Sequence, residues 1–261
     1  MDSSKMMVVI GTWVLMIIWL AFVAVSGILA FRKWKRAKDA TRRQMLYLWM
    51  GAAIVFIGDF LHTISATVST YTDNATGPIN IMGSIFEFRT FAMFFDALVF
   101  IVYYAFWALF IVTRYQQGRF KTYDKISTGL ATAAMLLILP GAVPNAFGVY
   151  TLDYDIAIWA PHIVLFIIFG LMTVSKLIRC SGYALTQTSD PVIQGQERAL
   201  ARTGAGFAFS FLFFFLSLAL IPVNQLFGMF MIPKTFAYMF AFYNLIKGFI
   251  LPAAEARAYL R

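Results

Sequence analysis

Seven long apolar segments fill most of this 261-residue chain. A hydrocarbon core about 30 Å thick takes roughly 20 apolar residues to cross as a helix, and each segment reaches that length. The pattern predicts an all-α fold, an integral membrane bundle of seven transmembrane helices in a single domain over residues 1–261. The predicted spans are about 7–31, 45–70, 90–113, 126–148, 156–178, 205–227 and 232–253.

The composition excludes a water-soluble protein. Hydrophobic residues make up 61% of the chain and charged residues 13%, whereas a soluble domain has roughly 25% charged residues. The longest gap between spans, about 179–204, is predicted to be a polar connection too short for a separate domain. A dense basic block follows the first span, so we expect that span to stay as a helix rather than be cleaved as a signal peptide.

Lysine and arginine are concentrated in alternate gaps between the spans. The gaps at 32–43, 114–125 and 176–202, together with the C-terminal tail, hold most of these cations. The positive-inside rule then predicts an outside N-terminus and a cytoplasmic C-terminus in a multi-pass protein of the cell membrane. The same cations predict contact with anionic lipids at the cytoplasmic face. Because the net charge of +9 is spread over four short segments, nucleic-acid binding is not expected.

A few polar and ionisable side chains lie inside the predicted spans. Such groups are costly in hydrocarbon and commonly mark functional sites. Two of them, Asp59 and His62, are three residues apart and therefore lie on one face of span two. The others come from spans three, five and six, and those at 96, 162 and 224 lie at a similar depth toward the outer side. The candidate binding residues are Asp59, His62, Asp96, Tyr103, His162 and Asn224.

These residues predict a polar pocket that opens outward and binds a small ligand, a proton or a cation. Sensing or transport would follow from helix movement around the bound species. The chain has no fused output domain in its predicted topology, so a sensor would need a cytoplasmic partner protein. Its contact sites would be the segments 114–125 and 179–204.

Two other classes of function stay open. In a metal-dependent hydrolase, Asp59, His62, Asp96 and His162 would hold zinc around an activated water. The chain shows no HExxH-like spacing, and we favour a role other than catalysis. In a structural subunit, the polar residues would only pack helices. On that interpretation Asp59 and His62 form a hydrogen-bonded couple, and the stripe 203, 210, 217 and 224 in span six allows close helix approach.

Two resemblances rest on short motifs. The chain resembles the microbial rhodopsins in its seven spans, its outside N-terminus, its proline region 222–228 and a lysine in the last span. That resemblance implies that Lys247 carries retinal as a Schiff base, although Tyr243 stands where the pumps usually have aspartate. Gly58-Asp59-x-x-His62 and the motifs from Leu139-Pro140 to Pro144-Asn145 resemble uncharacterised prokaryotic seven-span membrane proteins, which implies no particular activity.

Overall fold

The computed structural model describes residues 3–71, 78–81, 84–146, 156–220, 229 and 231–252. These residues form seven α-helices, which confirms the predicted all-α bundle. A short antiparallel hairpin joins α2 to α3, with strands β1 (Pro78–Ile81) and β2 (Ser84–Glu87). The helices are α1 (Ser3–Arg36), α2 (Asp39–Tyr71), α3 (Phe88–Tyr115), α4 (Thr122–Ala146), α5 (Ile156–Gln187), α6 (Pro191–Leu220) and α7 (Met231–Asn244), and α7 continues as a π-helical segment, Leu245–Ile250.

Five of the helices are long and apolar enough to cross a membrane, which makes this a multi-pass membrane protein. Their spanning segments have mean hydropathies between 1.5 and 2.7. A helix rises 1.5 Å per residue, so about 20 residues cover the hydrocarbon core. The five segments are Val9–Arg36, Asp39–Ser65, Phe95–Tyr115, His162–Gln187 and Pro191–Ser217.

The connection between α5 and α6 differs from the prediction. The gap at 179–204 was expected to be a polar connection, but it is helical except for residues 188–190. Asp190 explains the early start of α6, because its Oδ1 accepts hydrogen bonds from the backbone N–H groups of Val192 (2.8 Å) and Ile193 (3.4 Å). Pro191 occupies the first helical position, where no backbone donor is needed.

Helix α3 lies at the centre of the packing. It contacts α2, α4 and α5, and its residues Ile101, Tyr104, Phe110 and Ile111 are fully buried. The remaining neighbours follow chain order, and α7 returns to contact α1. Side chains from several helices therefore converge on the face of α3 that points away from lipid.

Small residues bring α6 close to α7. A Cβ atom at Gly206 would lie 2.9 Å from the carbonyl oxygen of Ala237 and 2.9 Å from Ala241 Cβ. Thr203 Oγ1 donates to the carbonyl oxygen of Ala241 at 3.2 Å. Ser210 and Ser217 on the same stripe are also buried, as expected for residues that allow close helix approach. Asn224, the last member of the stripe, lies outside the described residues.

Candidate functional site

A buried carboxylate on α2 is the starting point of the site. Ala52, Val55, Asp59 and Thr63 are buried at spacings of three or four residues, so Asp59 belongs to the face of α2 that packs inward. Its side chain is 8% exposed. Its Oδ2 atom accepts a 2.7 Å hydrogen bond from Trp19 Nε1 of α1. The Asp59 carboxylate is thereby held next to an indole ring, whose N–H is an uncharged hydrogen-bond donor.

A second carboxylate, Asp96 of α3, lies near the first. Helices α2 and α3 approach closely here, because a Cβ atom at Gly58 would meet Val99 Cγ1 at 2.7 Å. Asp59 directly follows Gly58, and Asp96 lies one helical turn before Val99. Both acids are therefore close to this contact between α2 and α3. The charge of Asp96 acts directly on Asp59. Asp96 Oδ1 is buried and receives no hydrogen bond from the described residues.

Lys234 supplies a positive charge to the two acids. It is the fourth residue of α7, and its charge acts on both Asp59 and Asp96. No direct ion pair joins it to either carboxylate within the part of the chain that the structure describes. Its Nζ atom instead lies over the rings of Phe214 (4.8 Å) and Phe100 (5.4 Å), where an ammonium group interacts favourably with the ring face.

The candidate binding residues predicted from the sequence did not include Lys234. A signal was available, because Lys234 is the third residue of the predicted segment 232–253. An ionisable residue within a span is a candidate for function wherever it lies along the segment.

His62 and Tyr103 lie beside this group. His62 is half-buried on α2, one turn beyond Asp59, and its charge acts on Asp59. Asp59 Oδ2 accepts its hydrogen bond from Trp19, so the position of the carboxylate is set by a residue of α1. Tyr103 is buried and stacks on Phe242 with ring centroids 6.3 Å apart. Four of the six predicted binding residues thus lie in one region.

The structure does not place the other two predicted residues, His162 and Asn224, in this region. His162 is buried in α5, but the charges that act on Asp59 come from Asp96, Lys234 and His62. Asn224 lies outside the described residues. Within the described part of the chain, no three His, Cys, Asp or Glu side chains are arranged to hold one metal ion. The predicted zinc ligands Asp59, His62, Asp96 and His162 all belong to that part, so their four-ligand arrangement is not formed.

Aromatic side chains close the space next to the acids. The hydroxyl groups of Tyr104 and Tyr238 are hydrogen-bonded at 3.0 Å, and both rings are buried. A small cleft lies between α2, α3 and α7, with Gly51, Tyr103 and Trp107 among its lining residues, and neither Asp59 nor Asp96 lines it. Its cavity volume of about 10 Å³ has room for a single water molecule.

Lys247 does not occupy the position that the rhodopsin resemblance implies. A retinal Schiff base in the bundle interior requires an amine enclosed by helices. Lys247 is exposed on the π-helical segment, and its Nζ donates a 3.0 Å hydrogen bond to Tyr243 Oη on the same exposed face. Leu245 and Phe249 are buried. Lys247 lies between them in the sequence and therefore points to the opposite, outward side of the helix.

Two ion pairs lie at the other end of the bundle, near the end of α3 and the start of α4. Arg114 Nε donates a 3.0 Å hydrogen bond to Glu197 Oε1, and Tyr115 Oη donates to Glu197 Oε2 at 2.6 Å. The side chains of Arg114 and Glu197 are only 15% and 3% exposed. Lys176 forms the second pair, with Asp124.

The sequence interpretation had counted Arg114 and Lys176 among the cations that set the orientation. Each of them is paired with an acid of another helix, and Arg114 is mostly buried while Lys176 is buried. Glu197 and Asp124 lie in the predicted cytoplasmic segments, where most charged residues are basic. An isolated acid in such a segment could have indicated an ion pair.

Comparison with known proteins gives no relative: no protein-family model, no curated protein and no solved structure matches the chain. The resemblances drawn from short motifs therefore stay predictions, and the site has to be interpreted from its own geometry.

Proposed function

We propose that this chain crosses the cell membrane seven times, with its N-terminus outside, and that its outward end binds a proton between Asp59 and Asp96. Lys234 acts as the fixed counter-charge of that site. The bound proton would serve sensing or transport. The orientation is supported by the basic residues that end α1 and α3.

The observation that supports the proposal is that two carboxylates and one lysine from three helices lie close enough for their charges to interact. With all three groups ionised, two negative charges and one positive charge leave a net charge of −1 in surroundings of low dielectric constant. Uncompensated charge is costly there. One proton, or one monovalent cation, would neutralise the group. The tight aromatic packing beside it favours the proton, because a proton needs no additional volume.

Helix contacts offer a way for the proton to act at a distance. Asp59 is bonded to α1 through Trp19, and Lys234 belongs to α7. Protonation changes the attraction between α7 and the α2–α3 pair, so the position of α7 would respond to it. If the protein is a sensor, this response would reach a cytoplasmic partner protein at segments 114–125 and 179–204. A transporter would need no such partner.

The test is infrared difference spectroscopy of the purified protein during a pH change. The proposal expects a band from a protonated carboxylic acid in the wild type, and expects its loss in both Asp59→Asn and Asp96→Asn. Asp190→Asn is the matched control, since this acid is exposed and asparagine also serves as an N-cap residue. If both variants keep the wild-type band, the carboxylate pair does not bind the proton. The structural-subunit interpretation would then be preferred.

A second measurement separates transport from sensing. Proteoliposomes that contain a pH-sensitive dye should show proton flux that depends on Asp59 and Asp96 if the protein transports protons. A pH-dependent infrared band without any flux would indicate a sensor.

A further inference from the structure

The turn between α1 and α2 concentrates positive charge. Helix α1 ends at Arg36 and α2 begins at Asp39, so only residues 37 and 38 separate them. Asp39 takes a left-handed backbone conformation with φ of 52°. The segment 32–43 contains seven Lys and Arg residues, and Asp39 is its only acid. We refer to residues 31–43 together with Trp49 as the basic corner.

An aromatic stack gives the basic corner a defined shape. The rings of Trp34 in α1 and Trp49 in α2 are stacked 5.6 Å apart at an angle of 9°. Phe31 packs against both tryptophans, at 5.5 and 5.0 Å. Lys35 lies over the ring of Phe31 at 4.5 Å, and Arg42 lies 5.7 Å from the ring of Trp34. The stack thus fixes two of the cations on the surface.

Three cations of the basic corner, Arg36, Lys38 and Arg43, are exposed and take part in no ion pair within the described residues. At the same end of the bundle, Arg114 and Lys176 are each paired with a buried acid. Arg36, Lys38 and Arg43 therefore carry positive charge that an anion from outside the chain can neutralise.

The start of α2 gives a second reason to expect a bound anion. Its first turn exposes backbone N–H groups and carries the positive end of the helix dipole. Asp39 supplies one negative charge in that turn, but Arg42 and Arg43 lie next to it, where positive side chains are unfavourable. A phosphate group at this position would be stabilised by the helix terminus and by the cations together.

The surroundings of the basic corner identify the anion as part of a lipid. Tryptophan is enriched at the level of the lipid headgroups. Ile28 and Met50 are exposed next to the aromatic stack, at 52% and 37%, and offer an apolar surface to an acyl chain. We propose that the basic corner binds the phosphate headgroup of an anionic phospholipid in the adjoining leaflet. This proposal does not depend on the proton site.

The test is native mass spectrometry of the full-length, delipidated protein in detergent, titrated with phosphatidylglycerol or with phosphatidylcholine. Three substitutions are combined in the test variant: Arg36→Gln, Arg42→Gln and Arg43→Gln. The matched control combines Arg119→Gln, Lys121→Gln and Lys125→Gln, which removes three exposed cations at the α3–α4 turn. Circular dichroism checks that both variants stay helical. All the altered side chains are exposed, so folding should be unaffected.

We expect the wild type to bind phosphatidylglycerol more tightly than phosphatidylcholine. The test variant should lose about 100-fold in affinity for phosphatidylglycerol, since each basic residue near the surface contributes about 1 kcal/mol. The control should lose at least tenfold less. Equal losses in the two variants, or equal binding of the two lipids by the wild type, would overturn the proposal. Competition by millimolar inorganic phosphate would also overturn it, because the site would then bind small anions rather than a lipid.

Discussion

Trp19 Nε1 donates a 2.7 Å hydrogen bond to Asp59 Oδ2, which joins α1 to α2 across 40 residues of sequence. Both side chains are buried. The indole ring also packs edge-on against Phe242 of α7, with ring centroids 5.1 Å apart. Trp19 therefore sets the position of the Asp59 carboxylate and joins it to the helix that carries Lys234.

Replacing Trp19 with phenylalanine should destabilise the protein. Trp19→Phe keeps an aromatic ring but leaves the Asp59 carboxylate without this donor, at a cost of about 1–3 kcal/mol. Denaturant unfolding in detergent, followed by circular dichroism, measures the change. Trp13→Phe is the control, because it removes a less buried bond between two neutral groups, to Thr67 Oγ1. A larger effect in the control than in Trp19→Phe would contradict this role of Trp19.

The charges of Lys234 and Asp96 should be coupled. Lys234→Met leaves two carboxylates with no counter-charge and should lower the free energy of unfolding at neutral pH. Adding Asp96→Asn removes one of these negative charges, so the double variant should be more stable than Lys234→Met alone. A double-mutant cycle should give a coupling energy of about 0.5–3 kcal/mol. Simple additivity of the two changes would show that Lys234 does not neutralise the acids.

The ion pair of Arg114 and Glu197 should be important for stability. Glu197→Gln keeps the size of the side chain but leaves Arg114 charged and mostly buried, which should cost about 3–5 kcal/mol. The thermal unfolding midpoint in detergent provides the measurement. Asp190→Asn, an exposed change at the start of α6, should leave that midpoint unaltered. A loss below about 1 kcal/mol in Glu197→Gln would mean that water screens the pair.

The proposed orientation can be tested by chemical labelling. In a Cys180→Ser background, which removes the single cysteine, Asn74→Cys should react with a membrane-impermeant maleimide in intact cells. Lys38→Cys should react only after the cells are permeabilised. The positive-inside rule gives this expectation, because segment 32–43 is strongly basic and the region around Asn74 is not. The opposite labelling pattern would show that the N-terminus is cytoplasmic.

The sequence predicted the number and approximate position of the helices well. Predicted spans such as 7–31 and 90–113 lie within α1 (Ser3–Arg36) and α3 (Phe88–Tyr115). The helices extend beyond the spans because hydropathy detects only their apolar part. The polar residues after position 178 therefore suggested a loop, although they continue α5 to Gln187 and open α6 at Pro191.

The length of apolar sequence by itself determined that this is a membrane-embedded helical bundle, because a bilayer leaves backbone groups few other ways to form hydrogen bonds. Helical spacing also fixed which residues share a face, as for Asp59 and His62. Only the tertiary structure decided which faces meet. It brought Lys234 within reach of the charges of Asp59 and Asp96, paired Arg114 with Glu197, and turned Lys247 outward. The rotation of each helix about its axis depends on packing between distant segments, such as Gly58 against Val99, and no periodicity within one helix contains that information.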